Sequence, residues 1–156
     1  MKLINNLLDY SQEPTLTDLF LFTGNTVVKK NGALVMGRGA AKEVRDSYPN
    51  IDKVFGKAIT EHPTDNILWA PLTDPGHSAP NRFIGWFKVK HHWADNAELA
   101  LISASVKDLT SFAEKFPKYT FHMNYPGIGN GGLAIEDVAN LLKDLPDNVY
   151  IYGGSL

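Results

Sequence analysis

The chain has no cysteine among its 156 residues. That removes disulfides, zinc–thiolate sites and thiol nucleophiles together, and it fits a reducing compartment. An excess of charge of one sign is also missing: 15 lysines and arginines against 17 aspartates and glutamates leave a net charge of −2. Proteins that grip a nucleic-acid backbone without regard to sequence rely on many cationic contacts. The balance therefore points away from that class and leaves room for a local basic site only. No apolar run is long enough to span a membrane, and the opening MKLINNLLDYSQ is too poor in apolar residues for a signal peptide. The expectation is a cytoplasmic protein with no membrane association, monomeric by default. Whole motifs are absent too. Without Gly-Lys-Ser/Thr there is no P-loop, and without Gly-x-Ser-x-Gly there is no nucleophile elbow. Full Rossmann glycine spacing is not met either.

Hydrophobic residues at 44% and charged residues at 21% give an ordinary globular balance, and the length favours one domain over residues 1–156 with a real core. Strands are expected at Lys2–Leu8, Asp18–Thr23, Ile67–Ala70, Arg82–Val89, Tyr119–Met123 and Val149–Tyr152. Between them, Ala40, Ala41, Val44 and Tyr48 keep helical spacing up to Pro49. Asn50 is placed to cap a second short helix from Ile51 to about Thr60. Leu99, Ile102, Val106, Leu109, Phe112 and Phe116 form one apolar stripe on the longest helix, Asn96–Phe116. A last short helix carries Ile135, Val138, Leu141 and Leu142. Pro71–Asn81, rich in turn formers, reads as a surface connection. Strands alternating with helices predict an α/β fold with helices on both faces of one sheet, and ligands in such folds sit beyond the carboxyl ends of strands.

Two glycine-rich loops follow strands and precede helices, so they can share that rim. In NGALVMGRGAA, Asn31–Ala41, apolar residues run into Gly37-Arg38-Gly39 just before a helix. Glycines there permit positive φ and close approach of a ligand, and the helix start adds partial positive charge. The pattern suits a phosphate cradle; the plainer reading is a tight turn. In NYPGIGNGGL, Asn124–Leu133, four glycines in six residues are more than a turn needs and suit a loop wrapped around a diphosphate or sugar.

Between the loops, Phe87-Lys88-Val89-Lys90-His91-His92-Trp93 sets cations, imidazoles and an indole at a strand end. In extended chain His91 and His92 point to opposite faces, and His62, His77 and His122 lie far off in sequence. No metal site and no cofactor is expected. Lys88 and Lys90 share a face; one reads as a solvated edge charge, the other as a cation or nucleophile at the rim. Tyr150 and Tyr152 alternate on the last strand, and Tyr152, nearer its end, is a candidate for stacking on a base.

Taken in order, VMGRGAA (Val35–Ala41), FKVKHHW (Phe87–Trp93) and PGIGNGGL (Pro126–Leu133) resemble three successive motifs of the macro domain family, which binds ADP-ribose. The likeness is greatest to its DarG antitoxin and terminal ADP-ribose glycohydrolase branches and spans nearly the whole chain. The resemblance implies a three-layer α/β/α sandwich with a mixed sheet of about six strands. It implies that Gly37, Arg38 and Gly39, with Gly127, Ile128, Gly129, Asn130 and Gly131, hold the diphosphate and distal ribose, and that Asn31 contacts that ribose. Lys90 falls on the family's catalytic lysine, and His92 and Trp93 match the letters after it. The chain also departs from the pattern. Ala134 replaces a loop-two aspartate, and the acidic residue that holds adenine has only Asn6 or Asp9 as counterparts.

These readings imply a hydrolase that removes ADP-ribose from a modified macromolecule, nucleic acid or protein, centred on Lys90. The alternatives are a phosphatase acting on ADP-ribose-1″-phosphate, with His92 nearest to assist water, and a non-catalytic ADP-ribose reader.

Overall fold

The computed structural model describes residues 1–73, 76 and 78–154; His77 and part of the connection expected after Pro71 lie outside them. The sheet is organised around β2, Asp18–Gly24. Its run DLFLFTG is apolar at successive positions, the pattern of a strand covered on both faces. Leu19 and Leu21 enter one core, while Phe20 and Phe22 enter the other. Around it lie β1 (Lys2–Ile4), β3 (Ile67–Leu72), β4 (Arg82–Lys88), β5 (Thr120–Asn124) and β6 (Val149–Tyr152), in the order β1-β6-β5-β2-β4-β3. Only the β3–β4 pairing is antiparallel, so the sheet is mixed.

Helices α1 (Gly39–Ser47) and α2 (Ile51–Glu61) bring Val44, Ile51, Phe55 and Ile59 onto the Phe20/Phe22 face. On the opposite face, α3 (Leu99–Lys115) and α4 (Ile135–Leu142) bring Ile102, Val106, Leu109, Val138 and Leu142. The result is the three-layer sandwich expected. Because β2, β4 and β5 are mutually parallel, the loops after them leave from one rim.

Four local expectations change, each for a hydrogen-bonding or packing reason. The first strand stops at Ile4 instead of Leu8: Gly153 N–H donates to Ile4 O, and the chain then turns to bury Leu8 and Tyr10. Helix α3 begins at Leu99 and not at Asn96, because Ala97 N–H is given to Gly131 O and Glu98 N–H to Val89 O. Its stripe is buried in the middle, while Leu99 and Phe116 at its ends are exposed. Asn50 stands at the start of α2 with φ 64° and offers no side-chain cap. Finally, β3 runs through Pro71 to Leu72, which a strand on the sheet edge tolerates because its outer side needs no N–H donor.

Candidate functional site

The first glycine loop is shaped by Asn25, directly after β2. Its amide Nδ2 donates to Val35 O (3.0 Å) and its Oδ1 accepts from Val27 N–H (2.9 Å). Beside it, Val35 N–H donates to Val27 O and Lys29 N–H to Ala33 O. These bonds close a hairpin that returns the chain to the rim, buries Met36 and leaves Gly37, Arg38 and Gly39 exposed. Gly39 takes φ 55°, whereas Gly37 stays outside the left-handed region. Positive φ is thus needed at one of these two glycines; at Gly37 the missing side chain supplies only space, with nothing within 4 Å of where a Cβ would sit. No side chain caps α1 and no acidic residue stands in its first turn. Its leading N–H groups have no acceptor among the described residues, with the positive end of the helix dipole behind them. The amides of Gly37 and Arg38 have no acceptor among the described residues either.

The second loop is held just as firmly. Asn124, at the end of β5, accepts at Oδ1 from Thr23 N–H (3.1 Å) and from the Tyr10 hydroxyl (3.0 Å), and its Nδ2 donates to Thr23 Oγ1 (2.9 Å). Gly127 and Gly129 have φ 79° and 65°, and one turn of 3-10 helix follows at Gly129–Gly131. The turn is closed by Gly131 N–H to Ile128 O and Gly132 N–H to Gly129 O, and Leu133 N–H bonds Gly127 O. The two loops meet: a Cβ on Gly39 would lie 3.4 Å from Asn130 Nδ2.

Lys90 is held by two backbone carbonyls. Two residues past β4, its Nζ donates to the carbonyls of Trp93 and Asp95, each at 3.2 Å. An ammonium has three N–H groups, so one remains for a ligand; a neutral amine would spend both N–H groups on these carbonyls and keep its lone pair free. Burial holds the Lys90 pKa below the usual lysine value, the Arg38 charge lowers it further, and Asp95 opposes both. Lys88 differs. It is 5% exposed, within the β4 wall, and not the solvated edge charge that sequence allows.

Between these elements lies a cleft of about 330 Å³, within the size range of small-molecule sites. The structure brings together Lys90, Gly37, Arg38, Gly39, Gly127, Ile128, Asn130 and Gly131, all on its walls. Thr23, Asn25 and Trp93 join them, unassigned by sequence. The Gly24-Asn25 break after the strongest strand was the available signal for Asn25. Among the described residues no carboxylate or imidazole lines the cleft, which leaves Lys90 and Arg38 as its titratable groups.

Four candidates fall outside that lining. Gly129 sits in the loop, but its neighbours form the wall. Asn31 is exposed at the hairpin tip, its Oδ1 taken by Ala33 N–H at 3.0 Å. His92 accepts Ala94 N–H at Nδ1 (3.0 Å), so that nitrogen is not available to activate water. Tyr152 has its hydroxyl 2.6 Å from His122 Nδ1, and His122 Nε2 lies 2.8 Å from Asp18 Oδ1. An ionised carboxylate only accepts, so Nε2–H donates to Asp18, while the Tyr152 hydroxyl is engaged by Nδ1. This chain of bonds ties Tyr152 into the sheet. The counterparts considered for adenine also lie apart: Asp9 accepts from Ser11, and Asn6 is exposed away from the walls.

No family model matches the chain. Over 129 residues it is 32% identical to a DNA ADP-ribosyl glycohydrolase of Mycobacterium tuberculosis, covering 78% of this chain and 36% of that protein. The chain thus spans about a third of the length of the curated relatives it matches. Among solved structures, the macrodomain of Mycobacterium tuberculosis DarG superposes with a TM-score of 0.70 at 27% identity, covering 96% of each chain. Thermosipho africanus DarTG, solved in complex with ADP-ribose, gives a TM-score of 0.69 at 21% identity, covering 90% of this chain and 43% of that one.

Proposed function

The chain belongs to the macrodomain family, and from that premise we propose that it binds ADP-ribose in the cleft and hydrolyses the bond between ADP-ribose and a modified macromolecule. The names of the matched relatives favour DNA as that macromolecule. The observation that carries the reading is the convergence of two preformed glycine loops on one lysine. A diphosphate fits the unpaired N–H groups at Gly37, Arg38 and the start of α1, and the 3-10 turn after Ile128 closes over the distal ribose. Lys90, which lines the same cleft, then serves the anomeric carbon. With no carboxylate among the described residues on the walls, catalysis rests on the lysine. As an ammonium it donates to the departing group while water attacks the anomeric carbon. As an amine its lone pair attacks that carbon, and the bond to the macromolecule breaks with a proton passing to the leaving atom. The resulting glycosylamine, ring-opened as an imine, is hydrolysed by water to free ADP-ribose and regenerate the amine.

Replacing Lys90 by Ala should abolish release of ADP-ribose from ADP-ribosylated DNA while preserving affinity for free ADP-ribose, because the backbone donors stay in place. Full turnover by that variant would refute the assignment. Borohydride added during turnover separates the two roles, since a lysine–sugar imine is reduced to a stable adduct and an ammonium that only donates leaves none. Among the described residues no helix is long and apolar enough to cross a membrane, and we place the protein in the cytoplasm, where such a substrate would be met.

A further inference from the structure

The residues after Lys90 form an exposed ring stack at the cleft. His92 and Trp93 lie with ring centroids 5.1 Å apart and planes 30° from parallel. Trp93 is 42% exposed, unusual for an indole, and yet it lines the cleft. The stack is fixed from two sides. Ala94 N–H holds the imidazole through Nδ1, and Lys90 Nζ holds the Trp93 carbonyl at 3.2 Å. One face of the indole is backed by His92, and its exposure leaves room for another flat ring beside the lysine.

We propose that Trp93, backed by His92, is the positioning residue for the leaving group, and that it selects substrates in which ADP-ribose is attached to a nucleobase. This deepens the hydrolase reading and rests on it. Lys90 faces the anomeric carbon, so the group bonded to that carbon emerges next to the residue whose carbonyl the lysine holds. Every base has a π-face, and an aromatic side chain at that point gives it a surface to lie on. A carboxylate or hydroxyl leaving group from a protein side chain has no such face. Ring stacking at the leaving group acts on orientation, so it favours the geometry in which the bond to the sugar breaks. Arg38, also on the cleft wall, provides a cation for an adjoining phosphate of a strand.

The test compares wild type, Trp93→Ala and Trp93→Phe on two substrates: a single-stranded oligonucleotide with ADP-ribose on one base, and a peptide with ADP-ribose esterified to glutamate. The ratio of kcat/KM for oligonucleotide over peptide should fall by about tenfold or more in Trp93→Ala, the scale of losing one base–ring stack, and Trp93→Phe should recover most of it. A general structural defect would lower both substrates together and leave the ratio unchanged, and that result overturns the proposal. A wild-type preference for the peptide overturns it while leaving the hydrolase reading intact. A wild-type protein that binds ADP-ribose but cleaves neither substrate overturns the hydrolase reading, and this one with it.

Discussion

At the scale of single residues, Lys90 carries the argument because its surroundings act on its proton. Burial lowers its pKa, and the nearby Arg38 cation lowers it again, since two like charges resist each other; Asp95 pulls the other way. The signs are testable. Removing the cation in Arg38→Ala raises the Lys90 pKa, so the Lys90-dependent limb of the kcat/KM profile should move to higher pH. Removing the carboxylate in Asp95→Asn lowers the pKa, and that limb should move to lower pH, while the Asp95 carbonyl that binds Nζ is kept. A limb that stays fixed in both variants would mean that another group titrates. Lys90 was legible in sequence because it lies at the end of an apolar strand and within a recognisable motif. Asn31, His92 and Tyr152 show the limit of that method. Their chemistry suited a ligand, but local partners not visible in a linear pattern, Ala33 N–H, Ala94 N–H and His122, take up the relevant polar atoms.

At the scale of elements, the site consists of two loops and a helix start, and glycine decides their shape. Gly39 and Gly129 both adopt positive φ. A valine at either resists that conformation, and at Gly39, on the cleft wall, it also places branched carbons where the ligand comes. Changing Gly39 or Gly129 to Val should therefore cost about 2 kcal/mol or more of ADP-ribose binding, by analogy with losing charge-assisted hydrogen bonds. Arg38→Ala, which leaves the backbone donors intact, should cost less than half as much; the order of the affinities, read by titration, checks this, and a larger loss in Arg38→Ala would show that side-chain charge dominates. The strands and helices themselves were largely legible, since β2 and the α3 stripe announce themselves by composition and period. Their ends were less so. Where α3 begins depends on Ala97 and Glu98 giving their amides to Gly131 and Val89, partners distant in sequence. The role of Asn25 was hidden for the same reason: its amide matters only once Val27 and Val35 are brought together.

For the whole molecule, one sheet with helices on both faces was foreseeable from alternating strands and helices, and its mixed character from the family resemblance alone, whereas its strand order and the antiparallel edge at β3 were not, because pairing is a long-range choice. Parallel β2, β4 and β5 deliver both loops and Lys90 to one rim. Binding there has little long-range help, for the net charge is −2 and a diphosphate is drawn in only by nearby groups. Affinity should come mainly from fixed backbone donors, which lose little freedom when the ligand arrives. Isothermal titration of the wild-type protein with free ADP-ribose, at low and at moderate salt, tests this most directly. The account predicts a single saturable site whose dissociation constant changes by no more than about threefold between the two conditions, because few counterions are released. Absence of binding, or an affinity that collapses as salt is raised, would contradict it.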